Sequence, residues 1–325
     1  MPKRAIKKEL LSDMLSKMLE IRLFEEKIEA FFMNNLIGGT VHLYIGQEAV
    51  AVGACATLQK EDYIVSNHRG HGHCIAKGAD SRKMMAEILG KETGYCRGKG
   101  GSMHVSDIEI GNLGANGIVG AGIPIASGAA LALKLQQRKQ VVVCFFGDGA
   151  SNTGSFHEGI NLASVNSLPV VFVCENNGYA ISSSFSNTFS ISNISDRAQA
   201  YGIPGISIDG MDVIGVYEAM QHAVDRARNG GGPSFIECMT YRFKGHYIGD
   251  PGTYRTRKEL EAWRKKDPIE QLKRSLKKNK ILSPKEIRKI EAEAAAKIKD
   301  AEQFSLESPE PKGEEAFLSV YGSTA

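Results

Sequence analysis

The spacing of hydrophobic residues changes along this chain and predicts two kinds of element. Between positions 10 and 34 the apolar residues recur at helical intervals, as at Leu11 and Leu15, which predicts one long amphipathic helix. Two uninterrupted apolar runs, Val141–Phe146 and Val170–Cys174, are typical of buried strands. A helical segment separates the two runs, so we expect neighbouring parallel strands joined by a helical crossover.

Further strand and helix patterns alternate through the central part of the chain. Strand patterns cover Tyr63–Ser66 and Ser234–Tyr241, and helical patterns cover Ile125–Gln136 and Val213–Arg228. This alternation predicts an α/β fold with a doubly wound, mostly parallel sheet.

From Lys258 onward the pattern changes to charged amphipathic helices. Asp267-Pro268 and Ser283-Pro284 are typical helix starts within this region. We therefore expect an N-terminal helix packed on the core (1–36), an α/β domain (37–257) and a helical C-terminal extension (258–325).

The composition excludes several classes of function. The chain has 325 residues, of which 42% are hydrophobic and 24% are charged, as in ordinary globular proteins. A formal net charge of +3 gives no reason to expect a nucleic-acid partner. No apolar stretch approaches the ~18 residues of a membrane span. Six cysteines without a CxxC motif are typical of reduced thiols, so we expect a cytoplasmic protein.

Both long apolar runs end in polar turns. The first ends at Gly147-Asp148-Gly149 and the second at Asn176-Asn177-Gly178-Tyr179. If the two strands are parallel neighbours, the carboxylate of Asp148 and the amide of Asn177 meet at one sheet edge, where α/β proteins bind ligands. Hard oxygen ligands beside a helix N-terminus suit Mg²⁺ carrying a diphosphate. A GDG triplet alone is more often a plain turn, so the pairing with NN makes the prediction specific.

Four sequence blocks together resemble one known family. They are HLYIGQEA (42–49), RGKGGSMH (97–104), the GDG and NN pair, and ENNGYAIS (175–182). The combination resembles the alpha subunit of the thiamine-diphosphate-dependent dehydrogenase component of 2-oxo-acid and acetoin dehydrogenase complexes. The resemblance extends from Leu10 to Arg257 and implies the thiamine-diphosphate-binding α/β fold.

The resemblance assigns roles to individual residues. It implies that Asp148, Asn177 and the backbone carbonyl of Tyr179 are Mg²⁺ ligands. It places His42 and His246 near the reacting centre, where imidazoles can transfer protons. The residues implied to bind the cofactor are His68, Arg69, Gly117, Val119, Asp148, Gly149, Ala150, Asn177, Tyr179 and His246. His68 stands where the family usually has Tyr.

The resemblance also implies a reaction and its partners. The cofactor attacks the carbonyl group of acetoin or pyruvate, and the hydroxyethyl adduct then reduces a lipoyl group and acetylates it. We expect an α₂β₂ heterotetramer with a beta subunit, followed by transfer to a lipoyl-bearing acyltransferase. This chain has no motif-supported candidate for the glutamate that activates the cofactor, so we expect the beta subunit to supply it.

Other functions remain open at this point. A branched-chain 2-oxo-acid dehydrogenase subunit is one alternative, although that type tends to have Arg where this chain has Glu175. A non-catalytic cofactor-binding or assembly subunit is a second, which the presence of Asp148 and Arg69 disfavours. No GxGxxG motif with a later acidic residue occurs, which disfavours an NAD-dependent dehydrogenase. Kinase-controlled family members carry serines where this chain has Tyr247 and Gly249, so we do not expect phosphorylation there.

Overall fold

A computed structural model describes residues 6–318 of the chain. The strands are β1 (Tyr63–Val65), β2 (Val142–Gly147), β3 (Val170–Asn176), β4 (Tyr179–Ala180), β5 (Ser183–Ser184), β6 (Gly205–Asp209) and β7 (Ser234–Met239). The α-helices are α1 (Lys8–Met33), α2 (Glu48–Cys55), α3 (His71–Lys77), α4 (Ser81–Ile88), α5 (Gly122–Leu135), α6 (Gly154–Val165), α7 (Phe185–Thr188), α8 (Val213–Arg228), α9 (Arg257–Arg264), α10 (Pro268–Lys278) and α11 (Pro284–Glu307). Within residues 6–318, no helix is both long enough and apolar enough to cross a membrane.

The central sheet has five strands in the order β1-β2-β3-β7-β6, and every neighbouring pair is parallel. The strands β2 and β3 lie side by side, with Gly147 opposite Glu175 at their carboxyl ends. The predicted α/β fold with a mostly parallel sheet is confirmed. The short strands β4 and β5 form a separate antiparallel hairpin.

Side chains of β2 alternate between two hydrophobic clusters, one on each face of the sheet. Val143 and Phe145 join a cluster that includes residues of α1, α2 and α8. Cys144 and Phe146 join the other cluster, which includes residues of α5 and α6. A parallel sheet covered on both faces explains why its strands read as uninterrupted apolar runs.

The N-terminal and C-terminal helices pack against each other and share the first cluster with the sheet. Met14 and Phe24 of α1 are fully buried there, together with Ile287 of α11. The helix starts predicted by Asp-Pro and Ser-Pro are present, since Asp267 caps α10 and Ser283 forms a capping box in α11. The three-part division of the chain stays a prediction. Residues 1–5 and 319–325, at the ends of the first and third parts, lie outside the described residues.

Candidate functional site

A cavity of about 260 Å³ lies at the carboxyl ends of β2 and β3. Its walls include segments that follow β1, β2, β3 and β7, as expected for an open α/β sheet. Of the residues predicted from the sequence, those that line the cavity are His68, Arg69, Val119, Asp148, Gly149, Ala150, Asn177, Tyr179 and His246.

Two predicted residues, His42 and Gly117, do not line this cavity. The ring of His42 is next to two residues that do line it, with its centroid 4.7 Å from that of His68 and 4.7 Å from that of His246. Gly117 is close to the glycine-rich segment, because a Cβ atom on it would lie 3.5 Å from Nε2 of His104. His42 is therefore adjacent to two residues of the cavity wall, and Gly117 lies two positions before Val119, which is part of that wall.

The carboxylate of Asp148 is buried with one oxygen unsatisfied. Its Oδ1 accepts a hydrogen bond of 3.0 Å from the backbone N–H of Gly149. Its Oδ2 is buried and has no hydrogen-bond partner within residues 6–318. Burial raises the pKa of Asp148 to about 6, because the charged form loses its hydration. A buried carboxylate oxygen without a donor is available to a cation.

Asn177 is oriented by a residue from a distant part of the chain. Its Nδ2 donates to Oε1 of Gln47 over 3.0 Å, so its Oδ1 faces the opposite way and accepts from the backbone N–H of Tyr179 over 3.3 Å. The neighbouring Asn176 instead donates to Glu237 over 2.7 Å. Gly178 has a φ of +85°, a conformation that favours glycine. The turn therefore presents only the second asparagine to the cavity.

Arg242 is a site residue that we did not predict from the sequence. It follows β7, lines the cavity and is 1% exposed. Its Nη2 donates to the Tyr254 hydroxyl over 2.9 Å and to the carbonyl of Ile181. Its Nε is buried without a hydrogen-bond partner among the described residues. One cavity therefore contains an unsatisfied carboxylate oxygen and an unsatisfied guanidinium N–H, a donor set that fits a cation bound together with an anion.

Three histidines lie together at one side of the cavity. One ring nitrogen from each of His42, His68 and His246 lies within 4.8 Å of the others. Burial, followed by the charge of Arg69, lowers their pKa values to about 4, 2 and 3 respectively. All three imidazoles are therefore neutral at pH 7. The spacing would suit a metal ion, but the nearby guanidiniums of Arg69 and Arg242 disfavour a cation there.

The segment after β7 is held by hydrogen bonds to Asp250. Its Oδ2 accepts from the backbone N–H of His246 and from the Tyr254 hydroxyl, each over 2.6 Å. Its Oδ1 accepts from the backbone N–H of Gly252 over 2.8 Å. This network fixes His246 beside the cavity.

The glycine-rich segment is ordered around the buried carboxylate of Glu87. Oε2 of Glu87 accepts hydrogen bonds from the backbone N–H groups of Cys96 and Gly98 over 2.7 and 2.9 Å. Its Oε1 accepts those of Gly100 and Gly101 over 2.7 and 3.0 Å. A carboxylate holding four backbone donors gives this segment one defined conformation.

Comparison with known proteins decides the family. A family model described as the dehydrogenase E1 component matches residues 16–314. The chain belongs to this family. The resemblance inferred from the sequence blocks is confirmed, and so is the prediction of a thiamine-diphosphate-dependent oxidoreductase.

Three members of the dehydrogenase E1 family are similar to this chain along at least 90% of its length. The alpha subunit of acetoin:2,6-dichlorophenolindophenol oxidoreductase from Bacillus subtilis is 54% identical over 95% of this chain and 93% of its own length. The subunit of the same name from Cupriavidus necator is 47% identical over 97% of this chain and 95% of its own. The pyruvate dehydrogenase E1 component subunit alpha of Porphyra purpurea is 42% identical over 90% of this chain and 88% of its own.

Proposed function

We propose that this chain is the alpha subunit of an acetoin dehydrogenase. In this proposal it cleaves acetoin and passes the acetyl unit to a lipoyl group on an acyltransferase. The 54% identity to the Bacillus subtilis acetoin subunit, along almost the full length of both chains, is the observation that carries the choice of acetoin. Pyruvate is the second candidate substrate, supported by the 42% identity to the Porphyra purpurea subunit.

The proposed metal is Mg²⁺, held by Asp148, Asn177 and the backbone carbonyl of Tyr179. The unsatisfied Oδ2 of Asp148 supports this assignment, because a hard cation prefers oxygen ligands. The diphosphate group would face Arg69 and the unsatisfied Nε of Arg242, which offer charge-assisted hydrogen bonds.

The remaining predicted residues have roles around the cofactor. His68 and His246 are proposed to donate to the diphosphate, and Gly149 and Ala150 to allow its close approach to the backbone. Backbone groups of Gly117 and Val119 are proposed to hold the aminopyrimidine ring. When bound, thiamine diphosphate supplies a nucleophilic carbon and an electron sink.

Proton transfer is assigned to His42 and His246. Both imidazoles are neutral at pH 7, since burial and the guanidinium of Arg69 lower their pKa values. A neutral imidazole can accept a proton at one ring nitrogen and donate a proton from the other.

A beta subunit is proposed to complete the site in an α₂β₂ assembly in the cytoplasm. The acidic residues among those that line the cavity are Asp148 and Glu175. Glu175 is engaged by the Tyr44 hydroxyl and by Nε2 of His73, the latter at 3.1 Å. In this proposal Asp148 binds the metal and Glu175 is held by these two partners, so the carboxylate that activates the cofactor ring is assigned to the beta subunit.

The test is steady-state kinetics of the reconstituted alpha and beta pair. Acetoin, pyruvate and 2-oxoisovalerate are compared with an artificial electron acceptor, and the alpha chain alone is the control. We expect the highest kcat/KM with acetoin and no turnover by alpha alone. A preference for pyruvate would replace the first candidate by the second. A preference for 2-oxoisovalerate would indicate a branched-chain enzyme, and no turnover of any substrate would favour an assembly subunit.

A further inference from the structure

The hydrogen bond made by His42 identifies which of its ring nitrogens carries the proton. Nδ1 of His42 lies 2.7 Å from the backbone carbonyl oxygen of His246. A carbonyl oxygen can only accept a hydrogen bond, so Nδ1 is the protonated nitrogen. In a neutral ring this leaves Nε2 of His42 with a lone pair.

His246 has the opposite arrangement. Its Nδ1 lies 3.2 Å from Nη1 of Arg242. A guanidinium has only donors, so Nδ1 of His246 accepts this hydrogen bond and carries no proton. In a neutral ring the proton is then on Nε2.

The surroundings keep both rings neutral in these forms. A proton added to Nδ1 of His246 would face the donor of Arg242. The guanidinium of Arg69 brings a second positive charge close to both rings. Its Nη2 donates over 3.0 Å to the backbone carbonyl of His246, which also accepts from Nδ1 of His42. The two rings are neighbours, with centroids 4.7 Å apart and one ring nitrogen of each within 4.8 Å of the other, and His246 lines the cavity.

We propose that His42 and His246 are fixed in opposite tautomers, so that Nε2 of His42 is the proton acceptor of the site and Nε2–H of His246 is its hydrogen-bond donor. This inference rests on the proposed function, in which His42 and His246 are both assigned to proton transfer. It gives each of the two residues a separate role. In acetoin, the substrate of the proposed function, the group that gives up a proton is the hydroxyl beside the ketone. The hydroxyl O–H bond breaks, its proton bonds to Nε2 of His42, and the O–H electron pair stays on the substrate oxygen.

Arg242 is a positioning residue in this proposal. Its Nη1–H group donates to Nδ1 of His246 and so selects the tautomer with the proton on Nε2. The direction of the Nε2–H group is fixed by the same hydrogen bond. Lysine at this position can still donate to Nδ1, whereas methionine cannot. The pair Arg242→Lys and Arg242→Met therefore separates this donor role from the loss of bulk.

The direct test is magic-angle-spinning NMR of the assembled alpha and beta complex with ¹⁵N-histidine in the alpha chain. His42→Asn and His246→Gln assign the signals by difference. At pH 7 we expect a protonated Nδ1 for His42 and a protonated Nε2 for His246. Arg242→Met should give His246 a mixture of tautomers, and Arg242→Lys should not. The same tautomer on both rings, or a charged ring, would overturn the proposal.

Kinetics with amide replacements provide a second test. The amide N–H of Gln reaches the position of Nε2, and that of Asn reaches the position of Nδ1. We expect His246→Gln to keep about tenfold more kcat than His246→Asn, because only Gln retains the donor. Since no amide is a base, both His42→Gln and His42→Asn should lose about 100-fold or more in kcat.

The two tests separate the possible failures. Equal losses at position 246, or a His42→Gln variant with nearly full kcat, would refute the assignment of roles even if acetoin is the substrate. If the wild-type complex turns over none of the three substrates, the proposed function fails. The NMR experiment still decides the tautomers in that case, because it needs neither cofactor nor turnover.

Discussion

Nδ2 of Asn177 lies 3.0 Å from Oε1 of Gln47, a residue 130 positions earlier in the chain. The hydrogen bond sets the direction of the asparagine amide, because only its nitrogen can donate to the glutamine oxygen. Gln47 is 1% exposed, so water cannot easily replace it. A residue at the start of α2 thus controls the proposed metal ligand at the end of β3.

We expect Gln47→Met to weaken Mg²⁺ binding by about tenfold, by analogy with residues that orient metal ligands. Methionine keeps most of the volume but removes the acceptor, so the amide of Asn177 loses its fixed direction. Gln47→Glu is the comparison, since it retains an acceptor and should not lower the Mg²⁺ affinity. The measurement is the Mg²⁺ dependence of thiamine diphosphate binding by calorimetry. Unchanged Mg²⁺ affinity in Gln47→Met would show that Asn177 is not the ligand or is oriented otherwise.

Asp148→Asn should abolish Mg²⁺-dependent cofactor binding and yet stabilise the metal-free protein at pH 7. The folded-state pKa of Asp148 is about 6, above its ordinary value of 3.8. The stability that this carboxyl contributes is thus present below pH 3.8 and is lost as the pH rises through about 6. An uncharged amide avoids this loss, worth up to about 3 kcal/mol. Denaturant unfolding in chelator at pH 5 and pH 7 measures the effect, and a variant that is less stable at pH 7 would contradict it.

The three neutral histidines should make the protein less stable as the pH falls below about 6.5. Their folded-state pKa values are lowered, so the unfolded chain binds more protons and unfolding is favoured by acid. The charged or titratable groups that act on them are Arg69, Arg242, His71 and Asp250.

His68→Asn should reduce this pH dependence. Removing one such group lowers the slope of unfolding free energy against pH by at most about 1.4 kcal/mol per pH unit between pH 6 and pH 4. Above pH 7 the slope should match that of the wild type, which serves as the internal control. Urea unfolding at several pH values provides the data. An unchanged slope would mean that His68 is charged, or exposed, in the folded protein.

Glu87→Gln should loosen the glycine-rich segment and cost about 2–3 kcal/mol of stability. The glutamine amide would turn N–H groups toward two of the four backbone donors that Glu87 now accepts. We expect faster hydrogen–deuterium exchange at residues 96–101, measured by mass spectrometry. Glu92→Gln changes an exposed carboxylate nearby and should leave that exchange unaltered. Equal exchange in both variants would refute the role of Glu87.

The sequence was sufficient to bring Asp148 and Asn177 together. Their strands are uninterrupted apolar runs joined by a helix, and parallel neighbours necessarily place their carboxyl ends at one sheet edge. The fold class followed from the same alternation. The positions of Arg69 and Val119 at the cavity came from the family resemblance, since neither apolar spacing nor composition indicates them.

The contributions of Arg242, Gln47 and Glu87 were not predictable from the sequence. Arg242 directly follows a buried strand, which was a usable signal, but its unsatisfied Nε appears only when its neighbours are known. The partners of Gln47 and Glu87 are set by the meeting of distant or irregular segments, which local propensity does not encode. The tautomers of His42 and His246 likewise depend on which acceptor or donor each nitrogen meets.

The cavity draws its residues from positions 47 to 246, so it exists only when most of the chain has folded. A ligand that occupies it binds the native state and not any shorter fragment, and it stabilises the native state by mass action. Its binding energy therefore opposes global unfolding and also any local opening that disrupts the cavity. In a cell short of cofactor, the same coupling would leave the whole chain more exposed to proteolysis.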